Sequence, residues 1–435
     1  MCTQKQSGIR RGVRRLTWAG AVVVLLAFVA PTTGQIIVPG ADGSDGAFAP
    51  PSNVTIDLAL ADTQPDWETA PNPNPGEGVY DPMRWAVIYR YESVNIASGR
   101  YVYFTNHPSR APVVWLVSGD VTISGNVILK GQDQDRCNPA EPGPGGFRGA
   151  AGGRSQEEPP SDGWGPGGGI RVHEVAARGG SFGTTAPPCG GDLPVPPTYG
   201  SPFLVPLIGG SGGSSSATLY PDSCRGGGAG GGAILIAAVG TIAVNGSISA
   251  RGGGSGVASG GSGGAIRLLA DKVQGSGTLT ATGGDGVGTC DGGAGRIAVN
   301  ANTIDLSELG NPRYYPFSPV SDPPVIWLAS NDPIIAVTHL TVEGRDIQVP
   351  QDPRGQFAYP AADVLFETQH PVIAHIAAWN VPLNWTVKLR VVPLIGPSFV
   401  VTADPLQGTL GVSSTTATID TMPRWFGAVQ VRAYP

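Results

Sequence analysis

Arg267 and Arg296 stand at one position of a repeated motif, after Gly-Gly-Ala-Ile and Gly-Gly-Ala-Gly. If the repeats stack, the two guanidinium groups lie one above the other and could grip the carboxylate or sulfate of an acidic glycan. Like charges directly opposed are destabilising, so the competing arrangement splays them toward Asp271 or Asp291. Other reactive types are sparse. Ser211 and Ser262 sit in Gly-x-Ser-x-Gly, the spacing of a hydrolase nucleophile elbow. An elbow needs a strained strand-to-helix turn, and both serines lie in Gly-Ser tracts with no helix following. His107, His173, His339, His370 and His375 are scattered, and no His-Glu-x-x-His occurs. Asp133 and Asp135 could offer oxygens to Ca²⁺, but that ion takes about six to eight and no third acid is close. No metal site and no cofactor is therefore expected. A nucleotide P-loop is excluded, because Gly-Lys-Ser and Gly-Lys-Thr are both absent.

Cysteines carry the next signal. Lys5, Arg10, Arg11, Arg14 and Arg15 precede an apolar run of 13 residues, Trp18 to Ala30, which has the form of a secretory signal. That run is shorter than the roughly 20 residues of a membrane span, so no stable span is expected after cleavage near Gly34. Residues 1–34 hold five of the 27 basic residues and none of the 33 acidic ones, so the remaining chain carries a net charge of −11. An acidic exported chain is a poor partner for nucleic acid. Removal of Cys2 leaves Cys137, Cys189, Cys224 and Cys290, an even number that suits two disulfides with three connectivities open.

The elements that must position these residues are strands. Gly numbers 66 and Pro 41, yet 40% of the chain is hydrophobic and only 14% charged, which excludes a solvated coil and a coiled coil. Residues 141–300 hold 46 of the glycines. Strand patterns recur there: Gly231 begins Gly-Gly-Ala-Ile-Leu-Ile, Gly263 begins Gly-Gly-Ala-Ile-Arg-Leu, and Gly292 begins Gly-Gly-Ala-Gly-Arg-Ile. An earlier unit runs Val113 to Val127. The starts lie 32 and 29 residues apart, and alternation sends Ile234, Ile236, Ile242, Val244 and Ile248 to one side. One unit cannot bury that face alone, whereas stacked coils can. The expected fold is all-β: a right-handed parallel β-helix over 85–317, with an ordinary sandwich of similar hairpins as the alternative. Ile236, Leu268 and Ile297 are expected to share an inward column, and the glycine pairs to turn corners at φ > 0.

Between the first two units, residues 132–230 form a Gly/Pro-rich insertion with three of the four cysteines. It is expected to be an irregular, disulfide-stapled loop, or a largely disordered excursion. Residues 35–84 read as an extended capping segment. From 324 to 435 short strands recur, including Val364-Leu365-Phe366, Val372-Ile373-Ala374 and Val387 to Val392, the signature of an immunoglobulin-like sandwich.

The text Val113 to Gly119, Pro142 to Gly149, Leu207 to Gly213 and the Gly-Gly-Ala-Ile repeats resembles a group of secreted, glycine-rich β-helix surface proteins of environmental bacteria. That resemblance runs from about Asp42 through the tail and fits least well at the cysteine-bearing insertion. It implies an exported surface protein and no catalytic residues. Asp120, Asp271 and Asp305 fall at different registers of their repeats, so the rungs offer no carboxylate pair, while Glu157, Glu158 and Asp162 cannot be placed. The expected function is that of a non-catalytic cell-surface or extracellular-matrix protein binding polysaccharide or an envelope protein. The alternative is a polysaccharide lyase or glycoside hydrolase on the same scaffold.

Overall fold

The computed structural model describes Met1 and residues 36–153, 158–173, 176–189, 194–216, 224–307, 310–321, 323–342, 344–348, 371–420 and 426–434. The chain divides into two compact units at Gly34/Gln35. The expected signal segment lies outside the described residues apart from Met1, and all that follows concerns the second unit.

The chain is all-β: the only helical element among the described residues is a single 3-10 turn at Leu58–Leu60. An eleven-stranded, largely parallel sheet curls through the molecule, and a second sheet of five parallel strands accompanies it. In the large sheet, strands Ala86–Ile96, Val113–Val117, Ala233–Ala238, Ala265–Gly275 and Arg296–Leu306 pair in parallel, side by side. The register lines up Tyr89, Trp115, Ile236, Leu268 and Val299. All five are fully buried. A second column joins Val94, Val121, Ile242, Val273 and Ile304. The five-stranded sheet lines up Val54, Val102, Val127, Ile248 and Leu279. These columns meet in one hydrophobic cluster. Each fully buried Val, Ile or Leu contributes about 1.5–3 kcal/mol, which rewards strict period-2 patterning.

The register corrects the repeat phase. Ala233 pairs with Ala265, a period of 32, but Ala265 pairs with Arg296, a period of 31. Val299 therefore replaces Ile297 beside Leu268, and Ile297 joins Ile234 and Ile266.

The glycine pairs of the repeats do not turn corners at positive φ. None between Gly209 and Gly264, and none from Gly292 to Gly295, has positive φ. Close approach is what requires them. A Cβ on Gly264 would meet the Gly232 carbonyl oxygen, and one on Gly295 would meet that of Gly264. The same holds for Gly230 against Gly210 and Gly212 against Arg148.

The insertion likewise differs from the expected irregular loop. Among its described residues the only strands are the short pair Arg171–His173 and Ala176–Ala177, yet its glycine runs are buried and joined by backbone hydrogen bonds. Phe147 N donates to Gly210, Gly210 N to Gly231, Gly231 N to Ser262, and Ser262 N to Ser211. Backbone groups out of water must be paired, and side-chain-free segments can pair with neighbours on several sides at once. Phe147, Trp164, Phe182, Tyr199, Leu204 and Ile208 extend from this region into the main hydrophobic cluster. Cys137 pairs with Cys224 and Cys189 with Cys290 at disulfide distance, with Cα separations of 4.8 and 4.7 Å.

The C-terminal part holds two antiparallel sheets, of five and three strands. Alternation in Val372–Trp379 and Ser413–Ile419 buries one face of the first. Leu340, Ile376, Leu389, Val391 and Ile419 share a second hydrophobic cluster. Val364-Leu365-Phe366 lies outside the described residues. Pro324-Val325-Ile326-Trp327 forms no strand: Ile326 and Trp327 pack with Trp67 and Leu116 against the large sheet. The three-stranded sheet also touches the insertion: Arg390 donates to the Gly165 carbonyl at 2.7 Å, and Ser398, just before Phe399–Thr402, donates to Asp162.

Candidate functional site

Arg267 is the third residue of the strand Ala265–Gly275, whose Ile266 and Leu268 belong to the main core. Alternation turns it to the opposite face, between Leu235 and Ala298 in register and beside Leu269. Arg267 is 3% exposed. Its Nε donates to Asn300 Oδ1 at 3.2 Å and its Nη2 to the Val325 carbonyl at 2.6 Å. Nη1 is buried and has no partner. No carboxylate among the described residues pairs with it, since their ion pairs involve Arg84, Arg90, Arg110, Lys130 and Arg148. Burial pulls the guanidinium down to about 10, which leaves it cationic at neutral pH. With no counter-ion among the described residues, burying this cation is expensive, costing several kcal/mol.

Above Arg267 is a cleft of about 570 Å³. The insertion supplies Ser201 and Phe203, the strand Tyr315–Phe317 supplies Phe317, and the connector that follows supplies Ser318, Ser321 and Val325. The Phe203 and Phe317 rings stack with centroids 4.5 Å apart, and Phe203 is half exposed. Val320 N and Ser318 Oγ tie the connector to Asn302. The arrangement combines a cation at the floor, hydroxyls on the wall and an aromatic face at the rim. It can hold an anion that also presents a flat apolar surface.

Arg296 does not stack on Arg267. The register pairs Arg296 with Ala265 and Arg267 with Ala298, so the two are displaced by two residues along their strands. Arg296 instead lies over the Phe182 ring at 5.6 Å and donates to the Tyr199 carbonyl at 3.1 Å. Neither pairs with Asp271, which accepts from Asn302, nor with Asp291, which accepts from Gly286 N.

The remaining candidates have structural partners. Ser211 and Ser262 are fully buried: Ser211 Oγ donates to Tyr199 Oη, and Ser262 Oγ accepts from Ser211 N. Neither can reach a substrate. Asp133 accepts from Lys130 and from Gly254 N, which holds its carboxyl below the usual range despite the opposing desolvation. Asp135 lies in a bridge with Asn138. Asp120 accepts from Thr241 N. His339 and His375 face each other across neighbouring strands, their rings stacked at 4.0 Å. The His173 side chain, His370 and Glu157 lie outside the described residues. His107 stacks on Tyr80 at 4.1 Å, and burial lowers its pKa to about 4.

Sequence reasoning named Arg267 but missed Asn300, Phe203, Phe317 and Val325. They arrive from four separate segments, and no spacing links them. The one available signal was Arg267 itself, a charged residue inside the apolar run Ala265 to Ala270. Compared with known proteins, the chain matches no family model, no curated protein and no solved structure.

Proposed function

We propose that this chain is an exported, non-catalytic surface or matrix protein that binds extracellular glycan on a right-handed parallel β-helix. In this reading each parallel column is one side of a coil, residues 85–317 form the solenoid with 132–230 packed upon it, and 324–435 adds an immunoglobulin-like sandwich. The long parallel registers support the first part, and the two antiparallel sheets with a shared cluster support the second. Export is supported by the N-terminal charge and apolar pattern and by the two cysteine pairs. The resemblance of its Gly-Gly-Ala-Ile repeats to secreted glycine-rich β-helix proteins is part of this reading.

One observation carries the functional part. Arg267 is a buried cation with an unpaired donor, set under a cleft with hydroxyls and an aromatic rim. A fold retains such an expense where a ligand offsets it. Among the described residues no carboxylate lines the cleft, which favours binding without bond cleavage over a lyase or hydrolase. The test is to incubate the secreted chain with immobilised acidic and neutral polysaccharides and to follow both retention and released reducing or unsaturated ends. Retention without release is expected. Steady release of product would make it an enzyme, and no retention on any glycan would remove the reading.

A further inference from the structure

Resting on the glycan-binding reading, we infer that the Arg267 cleft holds a uronate residue of an acidic polysaccharide, with its carboxylate on Arg267 and its pyranose face against Phe203 and Phe317.

Three observations lead there. First, the cleft offers an anion a cation with donors to spare. Nε and one Nη2 proton are committed to Asn300 and Val325, which leaves both Nη1 protons and the second Nη2 proton for a planar carboxylate. Arg267 lines the cleft, and in this inference the carboxylate reaches its buried Nη1 by displacing the connector wall. That wall is held through Asn302 and the Val325 carbonyl. Second, the cleft volume of about 570 Å³ suits a sugar ring with its flanking bonds, within the range of small-ligand sites, about 300–1,000 Å³. Third, the half-exposed Phe203 ring beside Phe317 offers an apolar plate, while Ser201, Ser318 and Ser321 offer hydroxyls. A free inorganic anion has no use for the plate, and a neutral sugar has no use for the cation. A uronate uses both.

The experiment is calorimetric titration of the full secreted chain with a defined oligogalacturonate and with the same oligomer after reduction of its carboxyls to alcohols. A charge-assisted hydrogen bond contributes about 1.5–3 kcal/mol, so reduction should weaken binding about 10- to 100-fold. Arg267→Gln should erase that preference, and Phe203→Ala should weaken both oligomers together. Phe203 is exposed, so its variant reads the cleft even if Arg267→Gln fails to fold. Equal binding of the two oligomers, or a folded Arg267→Gln chain with undiminished uronate preference, overturns this inference and leaves the glycan reading standing. Binding of neither these oligomers nor any other glycan removes that reading, and this inference with it.

Discussion

The carbonyl oxygen of Gly232 occupies the place where a Cβ of Gly264 would stand. Gly264 stands in the same relation to Gly295, and the three make a ladder at the mouths of three successive strands. The atom in the way is backbone carbonyl inside a hydrogen-bonded array, so it cannot swing aside.

Gly264→Ala should therefore destabilise the chain by at least the ~1–3 kcal/mol of an overpacked core, and by more if the ladder breaks. Gly256 has open space around its Cα and no positive φ. Gly256→Ala should be neutral or slightly stabilising, by up to ~1 kcal/mol, through the unfolded state. Denaturant midpoints of the two variants make the comparison. Equal effects would show that glycine serves here for flexibility and not for contact.

Leu268 sits between Ile236 and Val299, fully buried. Leu268→Ala should cost about 2–5 kcal/mol, whereas Thr280→Ala on the five-stranded sheet should stay within about half a kcal/mol. Equal tolerance at the two positions would contradict the stacked columns.

His107 gives a pH dependence. Its folded pKa lies at about 4, below the usual 6.5, because burial disfavours the imidazolium. Between these values the unfolded chain binds a proton that the folded chain refuses, so stability falls as pH drops from 6.5 toward 4. His107→Gln should lose that portion of the slope in urea melts taken across the window. An unchanged slope would show that acid sensitivity arises elsewhere.

The cysteine pairs enclose long stretches, with sequence separations of 87 and 101. Chain entropy alone gives each such cross-link about 4.5 kcal/mol. Cys137→Ser should lower stability by about 2–5 kcal/mol, and non-reducing peptide maps should recover Cys137 with Cys224 and Cys189 with Cys290. Either of the other two connectivities would refute the pairing.

Strand existence was legible because one-sided burial imprints a period of two on Thr241–Val244 and Val372–Trp379, and burial on both faces gives Ala233–Ala238 a continuous apolar run. The rest was less so, for physical reasons. Glycine has no side chain to pattern, so the buried lattice around Gly210, Gly231 and Ser262 reads in the text as loop. The motif at Gly292 invites alignment on its first glycine pair, yet contact between Gly264 and Gly295 sets the register two residues further on. That shift separates Arg296 from Arg267. The cleft over Arg267 is assembled from Phe203, Asn300, Phe317 and Val325, distant in sequence, so only its charged floor was visible beforehand.

Whether Arg267 serves a ligand rather than the fold is read most directly from paired melts of the parent and Arg267→Met. Replacing a buried, uncompensated cation by an apolar side chain of similar length is often neutral or stabilising, by up to ~4 kcal/mol. The account predicts that Arg267→Met melts at or above the parent temperature without ligand, and that polygalacturonate raises the midpoint of the parent alone. A variant that is several kcal/mol less stable, or one that gains as much from polygalacturonate as the parent does, would contradict it.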